Sequence, residues 1–148
     1  MIRRLSMEKR YKIIRCGQLY DGVTAEFKTG QSILVDGSAI AAVGPSVPEP
    51  EGAVEIDLQD FQVTPGMIDA HMHMDFIDWH TVREEVYTTS EEAKTLAIVR
   101  CAGKALARGF TTVRHVGGIT SGGYGVIDVR DAIERGYLTG ARIVAAPT

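Results

Sequence analysis

Cysteine is scarce in this chain, long apolar runs are missing, and neither sign of charge dominates. The two cysteines among 148 residues, Cys16 and Cys101, are too few and too far apart to suggest a disulfide framework, so a reduced, cytoplasmic setting is expected. No apolar run approaches the ~20 residues that a membrane-spanning helix needs. A net charge of −3 and a pI near 5.8 leave no electrostatic footprint for nucleic acid or an anionic membrane surface. The basic opening Arg3, Arg4, Lys9, Arg10 and Lys12 is interrupted by Glu8 and lacks the apolar stretch of a secretory signal. What remains is 45% hydrophobic and 24% charged with mean hydropathy near zero, the balance of a globular protein rather than a disordered one. No internal repeat or low-complexity tract stands out.

The segment that carries chemistry is Thr64-Pro65-Gly66-Met67-Ile68-Asp69-Ala70-His71-Met72-His73. A Pro-Gly turn opens a short apolar run that ends in two histidines one residue apart. If Met67 to His73 is a strand, alternation puts Asp69, His71 and His73 on one face. Two imidazoles stacked along a strand can grip one metal ion from one side, which points to hydrolysis by a metal-activated water. Imidazole nitrogen suits zinc, the expected divalent metal. Asp69 is a candidate for orienting an imidazole from behind, or else a polar group bonded to backbone.

This segment resembles the first-strand signature of the amidohydrolase superfamily, Pro-Gly-hydrophobic-hydrophobic-Asp-x-His-x-His. Three further blocks follow the family's order. Val35-Asp36-Gly37-Ser38-Ala39-Ile40-Ala41-Ala42-Val43-Gly44 resembles the hairpin that precedes the signature. Gly109-Phe110-Thr111-Thr112-Val113-Arg114-His115-Val116-Gly117-Gly118 resembles the second barrel strand. Val129-Arg130-Asp131-Ala132-Ile133-Glu134-Arg135-Gly136 with Gly140-Ala141-Arg142-Ile143 resembles the next helix and third strand. The last two blocks are similar to the imidazolonepropionase-like branch, which includes prolidase-type dipeptidases and carboxypeptidases.

The resemblance implies an α/β fold: residues 1–64 as a partial antiparallel β-sandwich, residues 65–148 as about three β/α units of a (β/α)8 TIM-like barrel. It also implies a one- or two-metal site holding His71 and His73, and hydrolysis of a C–N bond in a small amide, dipeptide-like or cyclic amide substrate. The carboxylated lysine, two further histidines and catalytic aspartate of the family have no counterpart here, so no catalytic residue is identifiable. A full barrel takes roughly 250 residues, and 84 follow Thr64. The expectation is therefore an incomplete, inactive chain. Its open sheet edge is covered by a missing C-terminal portion, by self-association, or by the partner half of a split enzyme.

Turn chemistry and periodicity fill in the elements. Ile13-Ile14 and Gln18-Leu19-Tyr20 flank Cys16-Gly17, and two apolar strands meet across Asp36-Gly37. The proline-rich stretch Pro45 to Gly52 reads as a surface loop, and Val54 to Leu58 as a half-buried strand. Thr89-Ser90-Glu91-Glu92 reads as a capping box with Thr89 as the cap. The helix behind it turns Ile98, Val99, Ala102, Ala105 and Leu106 to one face and stops at Gly109. A strand, Thr111 to Val116, a glycine-rich loop, Gly117 to Gly125, a helix, Val126 to Arg135, and a strand, Arg142 to Ala146, complete a parallel α/β pattern.

His115 stands where relatives of this branch often carry aspartate, and it reads either as facing substrate or as a solvated histidine at a strand end. It is given no metal role. Trp79 and His80 read as surface and packing residues. The glycine-rich loop lacks a Gly-Lys-Ser/Thr ending, so a phosphate cradle is not expected. Cys101 reads as packing, and Cys16 has no partner that would make it a nucleophile.

Overall fold

The computed structural model describes residues 10–76, 80, 88–118 and 124–146, and the chain divides into two units, Met1–Pro65 and Gly66–Thr148. The first holds strands β1 (Tyr11–Tyr20), β2 (Phe27–Asp36), β3 (Ala39–Gly44) and β4 (Val54–Val63), in the order β3-β2-β1-β4. β1 and β2 pair antiparallel from Tyr11 opposite Asp36 to Tyr20 opposite Phe27. β2 turns into β3 through Gly37 and Ser38, and the positive φ of 61° at Gly37 supplies the twist a two-residue hairpin needs.

One expectation for this unit is corrected. The sheet is mixed rather than antiparallel: β4 pairs parallel with β1, from Lys12 opposite Val54 to Leu19 opposite Val63. Among the described residues of this unit the four strands form a single sheet. The cause is the route of residues 45–53. β3 and β1 are both antiparallel to β2, so a chain leaving β3 must return across the sheet before starting a strand parallel to β1. Val47, within the proline-rich stretch read as a surface loop, is buried on Ile13 and Leu34 as the chain makes this crossing. Cys16, Leu19 and Ile33 form a second small cluster. Burial raises the Cys16 thiol's pKa, so it stays protonated and inert, as its lack of a partner suggested.

The β1–β4 ladder slips at one place: the register shifts between Cys16 and Gln18. Gly17 sits in that slip, where a Cβ would lie 2.0 Å from the Gln59 carbonyl oxygen. Only glycine lets the two main chains come this close.

The second unit runs β5 (Met67–Met72), α1 (Glu91–Ala107), β6 (Phe110–His115), α2 (Gly125–Glu134) and β7 (Arg142–Ala145). All three strands are parallel, in the order β5-β6-β7. Spatial order follows chain order, so each helical crossover advances the sheet in the same direction. Ile98, Ala102 and Ala105 of α1 and Val126 and Val129 of α2 share one buried cluster with Val113 of β6 and Ile143 of β7. Both helices therefore cover the same face of the sheet. In the parallel ladder Arg114 is paired with Val144, on the face opposite Val113 and Ile143, and both are exposed.

The cap of α1 is one residue later than expected. Ser90, in extended conformation, accepts the Ala93 amide through its hydroxyl at 3.2 Å, and its carbonyl takes the first helical bond from Lys94. Glu92 is then one position too early to complete a capping box. Its own main-chain amide, first, and the Ser90 hydroxyl hold its pKa below the usual carboxylate value. At the other end the Gly109 amide bonds the Leu106 carbonyl, ending the helix where expected. Among the described residues no helix is long and apolar enough to cross a membrane.

Candidate metal centre

The sequence pattern required unbroken alternation from Met67 to His73, but the strand ends at Met72 and its ladder with β6 is irregular. Asp69 faces Val113 and Met72 faces His115, so three steps on β5 match two on β6. Such a bulge re-aims the side chains beside it. Asp69 braces it: its Oδ1 accepts the main-chain amide of His71 at 3.0 Å, and the carboxylate reaches the backbone instead of a ring. The two rings still come together. The centroids of His71 and His73 are 5.5 Å apart with planes at 69°.

His71 is exposed, whereas His73 is half-buried and stacks on Phe76 at 5.5 Å. Its Nδ1 lies 2.7 Å from the Gly117 carbonyl oxygen just beyond β6. A carbonyl can only accept, so Nδ1 carries the hydrogen and Nε2 keeps its lone pair. A hold of this kind fixes the tautomer of the ring.

His115 ends β6 and is 2% exposed, which corrects the reading of a solvated histidine at a strand end. It shares the buried face of Val113, two residues earlier on the central strand, and its neighbour Arg114 takes the exposed side. Its Nδ1 accepts the Met74 amide at 3.3 Å, and its ring meets that of His73 edge-on at 6.5 Å. Burial is the main cause that lowers its pKa, and the Asp75 carboxylate opposes this, so the ring is neutral at pH 7. Asp75 Oδ1 is itself buried without a hydrogen-bond partner.

Among the other candidates, His80 is exposed. Trp79 and residues 119–123 of the glycine-rich loop lie outside the described residues. Cys101 packs its sulfur against that of Met72 at 3.7 Å, and burial raises its pKa, in line with a packing role. Sequence reasoning missed the part played by Val116 and Gly117, whose main-chain groups bond Met72 and His73. Main-chain donors and acceptors leave no mark on residue identity.

Residues 62–148 match the Amidohydrolase family. The chain belongs to it. Among solved structures it is similar to a Xaa-Pro dipeptidase with methionine bound in its active site, at 31% identity and a TM-score of 0.79, covering 93% of this chain and 33% of the other. Phenylurea hydrolase B follows at 29% identity and a TM-score of 0.77, with 93% and 30% covered. Molinate hydrolase matches at 25% and 0.78, with 95% and 30% covered. An adenine deaminase 2 of Carboxydothermus hydrogenoformans is 40% identical over 63 residues, 43% of this chain and 10% of that protein. The chain thus spans about a third of the solved structures it matches and about a tenth of that deaminase.

Members of this family generally depend on a metal. The donors present fit one in part. Two neighbouring imidazoles, one with its tautomer fixed by a carbonyl, suit a divalent metal ion. Among the described residues no group of three or more His, Cys, Asp or Glu is placed to complete the shell.

Proposed function

We propose that this amidohydrolase chain carries the first two metal ligands, His71 and His73, of a zinc-dependent hydrolase acting on C–N bonds of small amides, dipeptides or cyclic amides. The observation that carries this reading is the pair of adjacent rings at the carboxyl end of β5, with Nδ1 of His73 tied to Gly117. In (β/α) barrels functional groups gather at that end of the strands. The Xaa-Pro dipeptidase, molinate hydrolase and phenylurea hydrolase B among the neighbours favour a hydrolase.

Each residue has a defined task in this scheme. Gly117 keeps the Nε2 lone pair of His73 available. Asp69 acts through the main chain, holding the backbone of His71 so that its ring stays beside its neighbour. His115 lies behind His73 and does not ligate. When bound, zinc would lower the pKa of a water from ~15.7 toward ~7 and polarise the amide carbonyl. Acid–base work on substrate falls to groups this chain does not supply.

The sequential strand order β5-β6-β7, with both helices on one face, supports a (β/α)8 barrel entered at its first three units. The first unit would belong to a sandwich completed by other strands. The exposed Ile68 and Val144, at 69% and 47%, favour further strands, from a longer chain, a second copy or a partner half, over the uncovered sheet. Sizing with mass determination should find assembly or aggregation; a monodisperse 16.1 kDa monomer would remove the need for a cover. The two unpaired cysteines suit a cytoplasmic location.

Ligation is tested by titrating the 148-residue chain with Zn²⁺ and reading imidazole ¹⁵N shifts. His71 and His73 should move together at one ion per chain, and the response should vanish in the His71→Ala, His73→Ala double variant. A response confined to His80, or unchanged in the double variant, would sink the assignment.

A further inference from the structure

We infer that His115 is a positioning residue for His73, setting its ring by gripping the main chain one residue further on; this rests on the reading of His73 as a ligand. Three consecutive residues at the end of β6 hold three consecutive residues at the end of β5. The Val116 amide donates to the Met72 carbonyl at 3.2 Å. The Gly117 carbonyl accepts from His73 Nδ1 at 2.7 Å. The His115 ring accepts the Met74 amide at Nδ1, at 3.3 Å.

Only the last of these bonds depends on a side chain of β6. The first two use β6 main-chain groups that almost any sequence would offer. Met74 and His115 are 1% and 2% exposed, so water cannot replace the acceptor if it is removed. Releasing the Met74 amide frees the segment that carries the His73 ring away from β6. The 2.7 Å bond to Gly117, which selects the His73 tautomer, is then held in register from the Met72 side alone.

The acceptor's reach makes this specific. Asparagine places Oδ1 as many bonds from Cα as histidine places Nδ1, so His115→Asn can still accept from Met74. Glutamine carries its oxygen one bond further, and leucine fills the space with no acceptor. A ring that merely packed would be served equally well by leucine.

The test uses the full 148-residue chain labelled at imidazole nitrogen, first without metal. In the parent chain and His115→Asn, His73 should show the Nδ1–H form. In His115→Leu and His115→Gln that signature should be lost toward the Nε2–H form that an unconstrained histidine side chain prefers. Zn²⁺ affinity should fall about tenfold or more in the same two variants, the range seen when groups behind a ligand are removed. If His115→Leu does not fold, the Asn and Gln pair carries the comparison. Retention of the Nδ1–H form in folded His115→Gln, or its loss in folded His115→Asn, would overturn the proposal. Failure of Zn²⁺ to move His71 and His73 in the parent chain would overturn ligation instead, and would leave the tautomer result standing.

Discussion

Gly17→Val should abolish the β1–β4 pairing and with it the N-terminal sheet. A Cβ at position 17 would lie 2.0 Å from the Gln59 carbonyl oxygen, 2.9 Å from that carbonyl carbon and 3.0 Å from the Phe61 oxygen. All three atoms belong to the main chain, so no rotamer change relieves the contact. Overpacking of this kind costs about 3 kcal/mol where some side chain can yield, and here none can. Gly44→Ala is the control: its Cβ would meet only the Ser46 oxygen at an ordinary 3.5 Å, and Gly44 has no positive φ. Denaturant unfolding and amide exchange of β1 and β4 should show a large loss for Gly17→Val and almost none for Gly44→Ala. Parental stability in the valine variant would mean that β4 does not run beside β1 as described.

The second large effect is an absence of turnover. The 148-residue chain with Zn²⁺ should not hydrolyse dipeptides, N-acyl amino acids or cyclic amides above the metal-only background. Catalytic zinc takes three protein ligands as a rule, and among the described residues no group of three His, Cys, Asp or Glu is placed to hold an ion. Of the nearby carboxylates, Asp69 is committed to the His71 amide, and one oxygen of Asp75 is buried. Activity that follows the chain through purification and disappears in His73→Ala would defeat this expectation.

Some of this architecture could be read from residues alone, and the reasons differ by element. The parallel α/β run was legible because the apolar face of α1 and the β-branched run of β6 have distinct periods. The histidine pair was legible because its spacing and its Pro-Gly opening occur together. The direction of β4 was not: alternation reports which face is buried and is the same for a parallel or an antiparallel neighbour. Thr89 and Ser90 are adjacent and chemically equivalent caps, so backbone geometry had to choose between them. The burial of His115 was hidden because a strand-end histidine beside an arginine reads the same whether it turns inward or outward. The grip of β6 on the end of β5 is invisible in sequence, since two of its three bonds come from main-chain groups.

The pairing of β1 with β4 also dictates an order of assembly. Lys12 finds its neighbour β2 across a short reversal, but must wait for Val54 before its other side is satisfied. During synthesis, the hairpins of the first three strands can close while the ribosome is still adding residues. The fourth strand then arrives directly ahead of the histidine pair, so the β1–β4 seam is sewn as that pair follows it off the ribosome.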